Sequence, residues 1–190
     1  MLKHIFISIR ILFVFTLVTG VLYPAIVTVV AQTTLSDKAN GSLVRKEDKV
    51  IGSSLIGQNF KSQKYFFGRP SAADYATIPS GASNLGFTSK DLAKAVSDRK
   101  NALSKLYPES KEEFPADLLF ASGSGLDPHI SVEAAKLQLD RIAKARNYNE
   151  AEKISLSDLV EKNIEPLQFG IFGEERINVL LLNMALDNMR

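Results

Sequence analysis

The chain has 190 residues, with 23 Lys and Arg against 21 Asp and Glu, a formal net charge of +2, two histidines and no cysteine. The missing cysteines exclude disulfides, thiolate nucleophiles and cysteine-ligated zinc, and the near-balanced charge supplies no field to draw nucleic acid. The length beyond a targeting or membrane segment suits one domain better than two.

The first element is apolar. No charged side chain stands between Ile11 and Ser36, while Lys3, His4 and Arg10 precede the run. Ile11 to Val30 supplies the roughly 20 residues a bilayer-spanning helix needs, and its Leu, Ile, Phe and Val side chains together favour insertion by on the order of 4 to 8 kcal/mol. A cleaved signal peptide ending at Val29 and Ala31 is the alternative, but its apolar region would be about 7 to 15 residues, shorter than this one. Pro24 within the span removes a backbone donor, frees a carbonyl and predicts a kink that a neighbouring membrane helix would satisfy. Lys3, Arg10 and the free amino terminus precede the helix, and Lys38, Arg45, Lys46 and Lys49 follow it behind a neutral spacer and mixed with Asp37, Glu47 and Asp48. With a tail too short for a domain, the expected topology is residues 1–10 in the cytoplasm, 11–31 in the membrane and the rest outside. Removing Lys3 and Arg10 leaves 21 basic against 21 acidic residues in that remainder, and His129 is its only histidine.

Residues 32–49 read as a polar stalk with an Asn40-Gly41 turn. The body, residues 50–190, reads as mixed α+β. Val50 to Phe60 suggests a strand broken by Gly52 and Gly57, and Tyr65 to Gly86 a long loop of the kind that usually serves a purpose. Thr88 and Asp91 open a helix whose Leu92, Val96, Leu103 and Leu106 share a face until Pro108. Asp117 to Ser122 suggests a short strand. Asp127, Pro128 and Ser131 introduce a helix to about Arg146 with Ala135, Leu139 and Ile142 as its buried stripe. Ser155 and Asp158 open another, stopped by Pro166, and the Leu, Met and Ala content of Ile177 to Met189 favours helix over strand.

Three local constellations carry chemical interest. Ser122-Gly123-Ser124-Gly125-Leu126-Asp127-Pro128-His129-Ile130-Ser131 contains the residue types of a hydrolase triad, so a membrane-anchored hydrolase using Asp127, His129 and Ser124 or Ser122 is one reading. Such residues seldom converge from a single extended turn, however, and no Gly-x-Ser-x-Gly order is present. A turn feeding a helix, capped by Asp127 or Ser131, is the plainer one. Gln58 in Leu55-Ile56-Gly57-Gln58 is a weak nucleotide signal, lacking the lysine and glycine spacing of a phosphate loop. Arg69 in Tyr65-Phe66-Phe67-Gly68-Arg69-Pro70 reads either as a carboxylate or aromatic partner or as an ordinary loop anchor.

In order along the chain, Thr19-Gly20-Val21-Leu22-Tyr23-Pro24, Ala39-Asn40-Gly41-Ser42-Leu43, Gly52 to Phe60, Tyr65-Phe66 with Arg69-Pro70-Ser71-Ala72, Ser83-Asn84-Leu85-Gly86, Ser122 to Ser131, and Gly173-Glu174 with Arg176 and Asn178 to Asp187 resemble the C-subunit family of the Kdp potassium-transporting P-type ATPase. Phe87 and Glu175 stand where that family usually has proline. The resemblance implies a single-pass, non-catalytic subunit of an inner-membrane complex. Its partners would be a channel-like potassium-binding subunit, an ATP-hydrolysing P-type subunit and a small single-helix subunit. It implies no cofactor of the chain's own, ATP being handled by the pump subunit. The family is described as a catalytic chaperone that raises ATP affinity, with the glutamine at Gln58 likened to a nucleotide-contacting glutamine in transporters of another class. Tyr23, Pro24, Arg69, Asn84, Asp127, His129 and Asn183 are the candidate interface residues.

Overall fold

The computed structural model describes residues 1–110 and 113–189, and separates into two compact units, Met1–Ser53 and Ser54–Arg190. The first begins with an apolar helical run, Leu2–Thr34, with no part of its most apolar stretch buried. It consists of α1 (Leu2–Leu17), a π-helical turn (Val18–Leu22) and α2 (Tyr23–Thr34). The Tyr23 amide donates to the Val18 carbonyl, five residues back, instead of to Thr19. Pro24 has no N–H to offer Thr19 or Gly20, so the Thr19 carbonyl loses both of its ordinary donors. The proline therefore acts as expected on the hydrogen bonding, with a π turn absorbing its ring.

The expected stalk is more ordered than its polarity suggests. A helical turn, α3 (Ser36–Ala39), leads to the Asn40-Gly41 turn and an antiparallel hairpin of β1 (Leu43–Lys46) and β2 (Lys49–Ser53). Glu47 and Asp48 both take positive φ, 49° and 64°, the backbone of a tight hairpin whose usual signature is Asn-Gly. The pair Glu-Asp hid it. The strand expected over Val50 to Phe60 ends at Ser53. From there to Gly57 the chain leaves extended pairing, because the Gly57 amide donates to the Leu126 carbonyl at 2.7 Å.

In the second unit the segment from Ser54 to Ser89 has no helix or strand, matching the expected long loop. Ser89, one residue after the expected start, caps α4 (Lys90–Leu106) by accepting from the Leu92 amide. Its apolar stripe is shallow: α4 contains no buried residue, and Leu103 packs only partly on the core. The strand expected over Asp117 to Ser122 is instead a helical turn, α5 (Ala116–Leu119), followed by extended chain. Asp117 explains this, since its carboxylate accepts from the Ser131 amide (2.6 Å) and hydroxyl (3.1 Å) and turns the chain toward the next helix.

β3 (His129–Ile130) precedes α6 (Val132–Leu137) and α7 (Leu139–Arg146), two helices where one was expected, divided at Gln138. α7 closes on Asn147 in the left-handed region, a common helix end for asparagine. α8 (Glu150–Lys162) starts a turn and a half before the expected Ser155, because Asn149 and Glu152 form a reciprocal capping box. β4 (Ile164–Glu165), β5 (Arg176–Asn178) and α9 (Val179–Asn188) complete the chain. The C-terminal run is thus strand first and helix after, with the Asn178 side chain capping the transition. β5 lies between β3 and β4, antiparallel to both, with His129 opposite Asn178 and Glu165 opposite Arg176. The helices close over Phe66, Ile142, Leu156, Val160, Ile177, Leu182 and Leu186, all fully buried, each such side chain contributing about 1.5 to 3 kcal/mol. The architecture is an α+β body and a single long N-terminal apolar helix.

Candidate functional site

Sheet edges normally hold extended chain by backbone pairing, but here side chains hold the segment from Gln63 to Arg69. Asn183, on α9, accepts from the Phe66 amide (2.8 Å) and donates to the Phe66 carbonyl (3.0 Å). Gln138 does the same for Phe67, at 2.8 and 3.2 Å. The buried Arg141 guanidinium donates to the Gln63 and Tyr65 carbonyls, to Gln138 Oε1 and to the Tyr107 hydroxyl, and lies 4.0 Å from the Phe67 ring centre. Arg146 adds the Lys64 carbonyl and the Asp187 carboxylate. Each amide side chain imitates a neighbouring strand, satisfying donor and acceptor of one residue at once. Burial pushes the Tyr107 hydroxyl pKa up and outweighs the nearby Arg141 charge, so it stays protonated.

That clamp delivers Arg69 to Asp127. Arg69 Nη1 stands 2.9 Å from Asp127 Oδ2, and Asp127 Oδ1 accepts from the His129 amide at 3.0 Å. The His129 ring lies between two carboxylates, Nδ1 3.5 Å from Asp127 and Nε2 3.5 Å from Glu165. Glu165 in turn takes Arg176 Nε at 3.0 Å. Arg69, Asp127, His129, Glu165 and Arg176 thus form one continuous polar chain, with an arginine paired to a carboxylate at each end and the imidazole between the two carboxylates. Burial pushes the Asp127 carboxyl pKa up, but the His129 hydrogen bonds and the Arg69 charge outweigh it and hold it at about 2.

The surrounding backbone is packed to fit. A Cβ on Gly57 would sit 2.6 Å from the Asp127 carbonyl oxygen, and one on Gly125, at φ +71°, 2.8 Å from that of Gly81. The Val179 amide donates to the Pro128 carbonyl, and Asn178 Nδ2 to the Ser54 carbonyl at 2.7 Å.

The sequence-derived residues therefore divide. Arg69, Asp127 and His129 meet in one cluster, and the Leu55-Ile56-Gly57-Gln58 block docks its glycine against the same turn, leaving Gln58 half-buried at the exit. Asn183 is buried in the clamp and Asn84 sits exposed in the loop at φ 52°. Tyr23 and Pro24 belong to the apolar helix. Ser124 Oγ accepts from the Leu126 amide, and no described hydrogen bond links Ser122 to the His129 ring. Glu165, Gln138 and Arg141 were not anticipated. Gln138 and Arg141 carry a signal in retrospect, being polar residues on the same helical stripe as Ala135 and Ile142.

Comparison with known proteins agrees with the ordered blocks. The family model described as KdpC, the c chain of K+-transporting ATPases, matches residues 5–188. Three similar proteins carry the name potassium-transporting ATPase KdpC subunit. That of Sorangium cellulosum is 46% identical over 193 residues, all of both chains. That of Leptospira interrogans is 46% identical over 187 residues, 98% of this chain and 95% of the relative. That of Dechloromonas aromatica is 49% identical over 177 residues, 92% and 91% of the two. With matches that run nearly end to end, the chain belongs to the KdpC family of potassium-transporting ATPase subunits.

Proposed function

We propose that this chain is the non-catalytic assembly subunit of an ATP-driven potassium pump, anchored by its N-terminal helix with the body on the extracytoplasmic face. The observation that carries the reading is the helix itself. Its most apolar stretch is unburied, and its Thr19 carbonyl lacks a donor, which in hydrocarbon costs several kcal/mol unless a neighbouring helix supplies one. Such a helix calls for a partner in the membrane. The partners in this reading are the channel-like potassium-binding subunit, the ATP-hydrolysing P-type subunit and the small single-helix subunit, with the body seated over the ion entrance.

In this topology Gln58 is about 30 Å of hydrocarbon away from cytoplasmic ATP. Any effect on the pump's ATP affinity is then indirect, carried by contacts that differ between two pump states. The His129 environment supports a bracing role: both ring nitrogens face carboxylates, and no described hydroxyl bonds to it. The experiment uses the absence of cysteine. Phe87 is 96% exposed, so Phe87→Cys is a unique accessible thiol. It is expected to react with an impermeant maleimide added to intact cells. Reaction only after lysis would place the body in the cytosol and make direct nucleotide contact at Gln58 the better account.

A further inference from the structure

The hairpin between β4 and β5 holds a surface the charged cluster does not use. Pro166 to Gly173 contains no charged residue, yet Phe169, Ile171 and Phe172 are 93%, 74% and 63% exposed. They are not loose chain. Gln168 and Phe172 exchange backbone hydrogen bonds at 2.8 and 2.9 Å, the Gly170 amide donates to Leu167 and the Ile171 amide to Gln168, while Phe169, Gly170 and Gly173 take positive φ. An ordered tip that holds three large apolar side chains in water is the mark of a contact surface, and aromatic anchors of this kind dominate binding energies. The hairpin's root is the charged cluster: Glu165 and Arg176 pair across its base at 3.0 Å, and His129 reaches Glu165.

We infer that the Phe169-Ile171-Phe172 tip is a plug that docks into an apolar pocket with a basic rim on another subunit of the same pump, braced at its base by the Glu165–Arg176 pair. This rests on the subunit reading above. Charge selects a protein over a lipid surface. Glu174 and Glu175 stand exposed beside the tip, Glu165 at its base is paired with Arg176, and between Glu165 and Glu175 there is no Lys or Arg. Membrane-seeking apolar tips carry basic residues that meet anionic headgroups, whereas this one would be repelled.

The test is co-purification of the whole complex from membranes with the full-length chain, together with a photoreactive benzoylphenylalanine at Phe169. The triple variant F169S/I171S/F172S is expected to lower recovery of the ATP-hydrolysing subunit about tenfold or more, with the melting temperature of the chain unchanged, and the crosslink is expected to join a subunit of this pump. Full recovery with the triple variant, or a crosslink to lipid alone or to nothing, would overturn the plug. A triple variant that melts lower leaves the decision to the crosslink, made in an otherwise unaltered chain. If the wild-type chain itself fails to co-purify, it is the subunit reading that fails, a result separable from a wild-type complex that tolerates the triple variant.

Discussion

The helix α1 to α2 and the body solve opposite problems. The N-terminal run keeps its apolar side chains outside and its polar groups, such as the Thr19 hydroxyl on the Phe15 carbonyl at 2.7 Å, turned back on its own backbone. The body puts Leu182, Leu186 and Ile142 inside and spends polar side chains on distant backbone: Asn183 reaches 117 residues back to Phe66. One region is held by bonds within four or five residues. The other is held by contacts far apart in sequence, so substitutions of the same kind should have unequal effects in the two.

The strongest separation comes from Leu182→Ala in the core, expected to cost about 2 to 5 kcal/mol of unfolding free energy, against Leu12→Ala in the exposed helix, expected to leave body unfolding unchanged. Urea denaturation of the full chain in detergent measures both, and equal effects would erase the distinction. Next, Asn183→Ala strips both partners from Phe66 and should cost about 1 to 3 kcal/mol, since the buried amide and carbonyl find no water. A loss no larger than that of an exposed asparagine such as Asn84→Ala would show that the clamp is incidental.

A smaller effect is set by pH. The Asp127 carboxyl, held at about 2 in the fold against 3.8 when unfolded, contributes stability that is fully present above pH 3.8 and is lost as pH falls toward 2. Partial exposure of the pair reduces this to about 1 to 2 kcal/mol. Between pH 5 and 2 the wild-type chain should therefore lose more stability than Asp127→Asn, and parallel curves would deny the depression. Smallest of all is Pro24→Ala, which restores a donor to the helix and should shift body unfolding by less than about 0.5 kcal/mol.

Much was legible from local pattern. The apolar run, the Asn40-Gly41 turn, the helix ended by Pro108 and the loop from Tyr65 to Gly86 all follow from signals a few residues wide. The errors arose where a long-range contact overruled such a signal. Val50 to Phe60 alternates like a strand, but Gly57 meets the backbone of Asp127. Asp117 to Ser122 is apolar like a strand, but Asp117 is engaged by Ser131. Asp127 and His129 share one block, but that Arg69 from another block would meet them was not readable, because Arg69 and Asp127 stand 58 residues apart.

By itself the sequence determined the long apolar helix, the ordered blocks that mark the family and several helix ends, since hydrophobic length, proline and capping act through neighbours along the chain. Tertiary structure alone decided that Gln138, Arg141 and Asn183 stand in for a missing strand, and that Glu165 and Arg176 at the base of the apolar hairpin join Arg69, Asp127 and His129 in one cluster. Buried backbone groups must find partners wherever the fold brings them, and which side chain answers is settled by proximity in space.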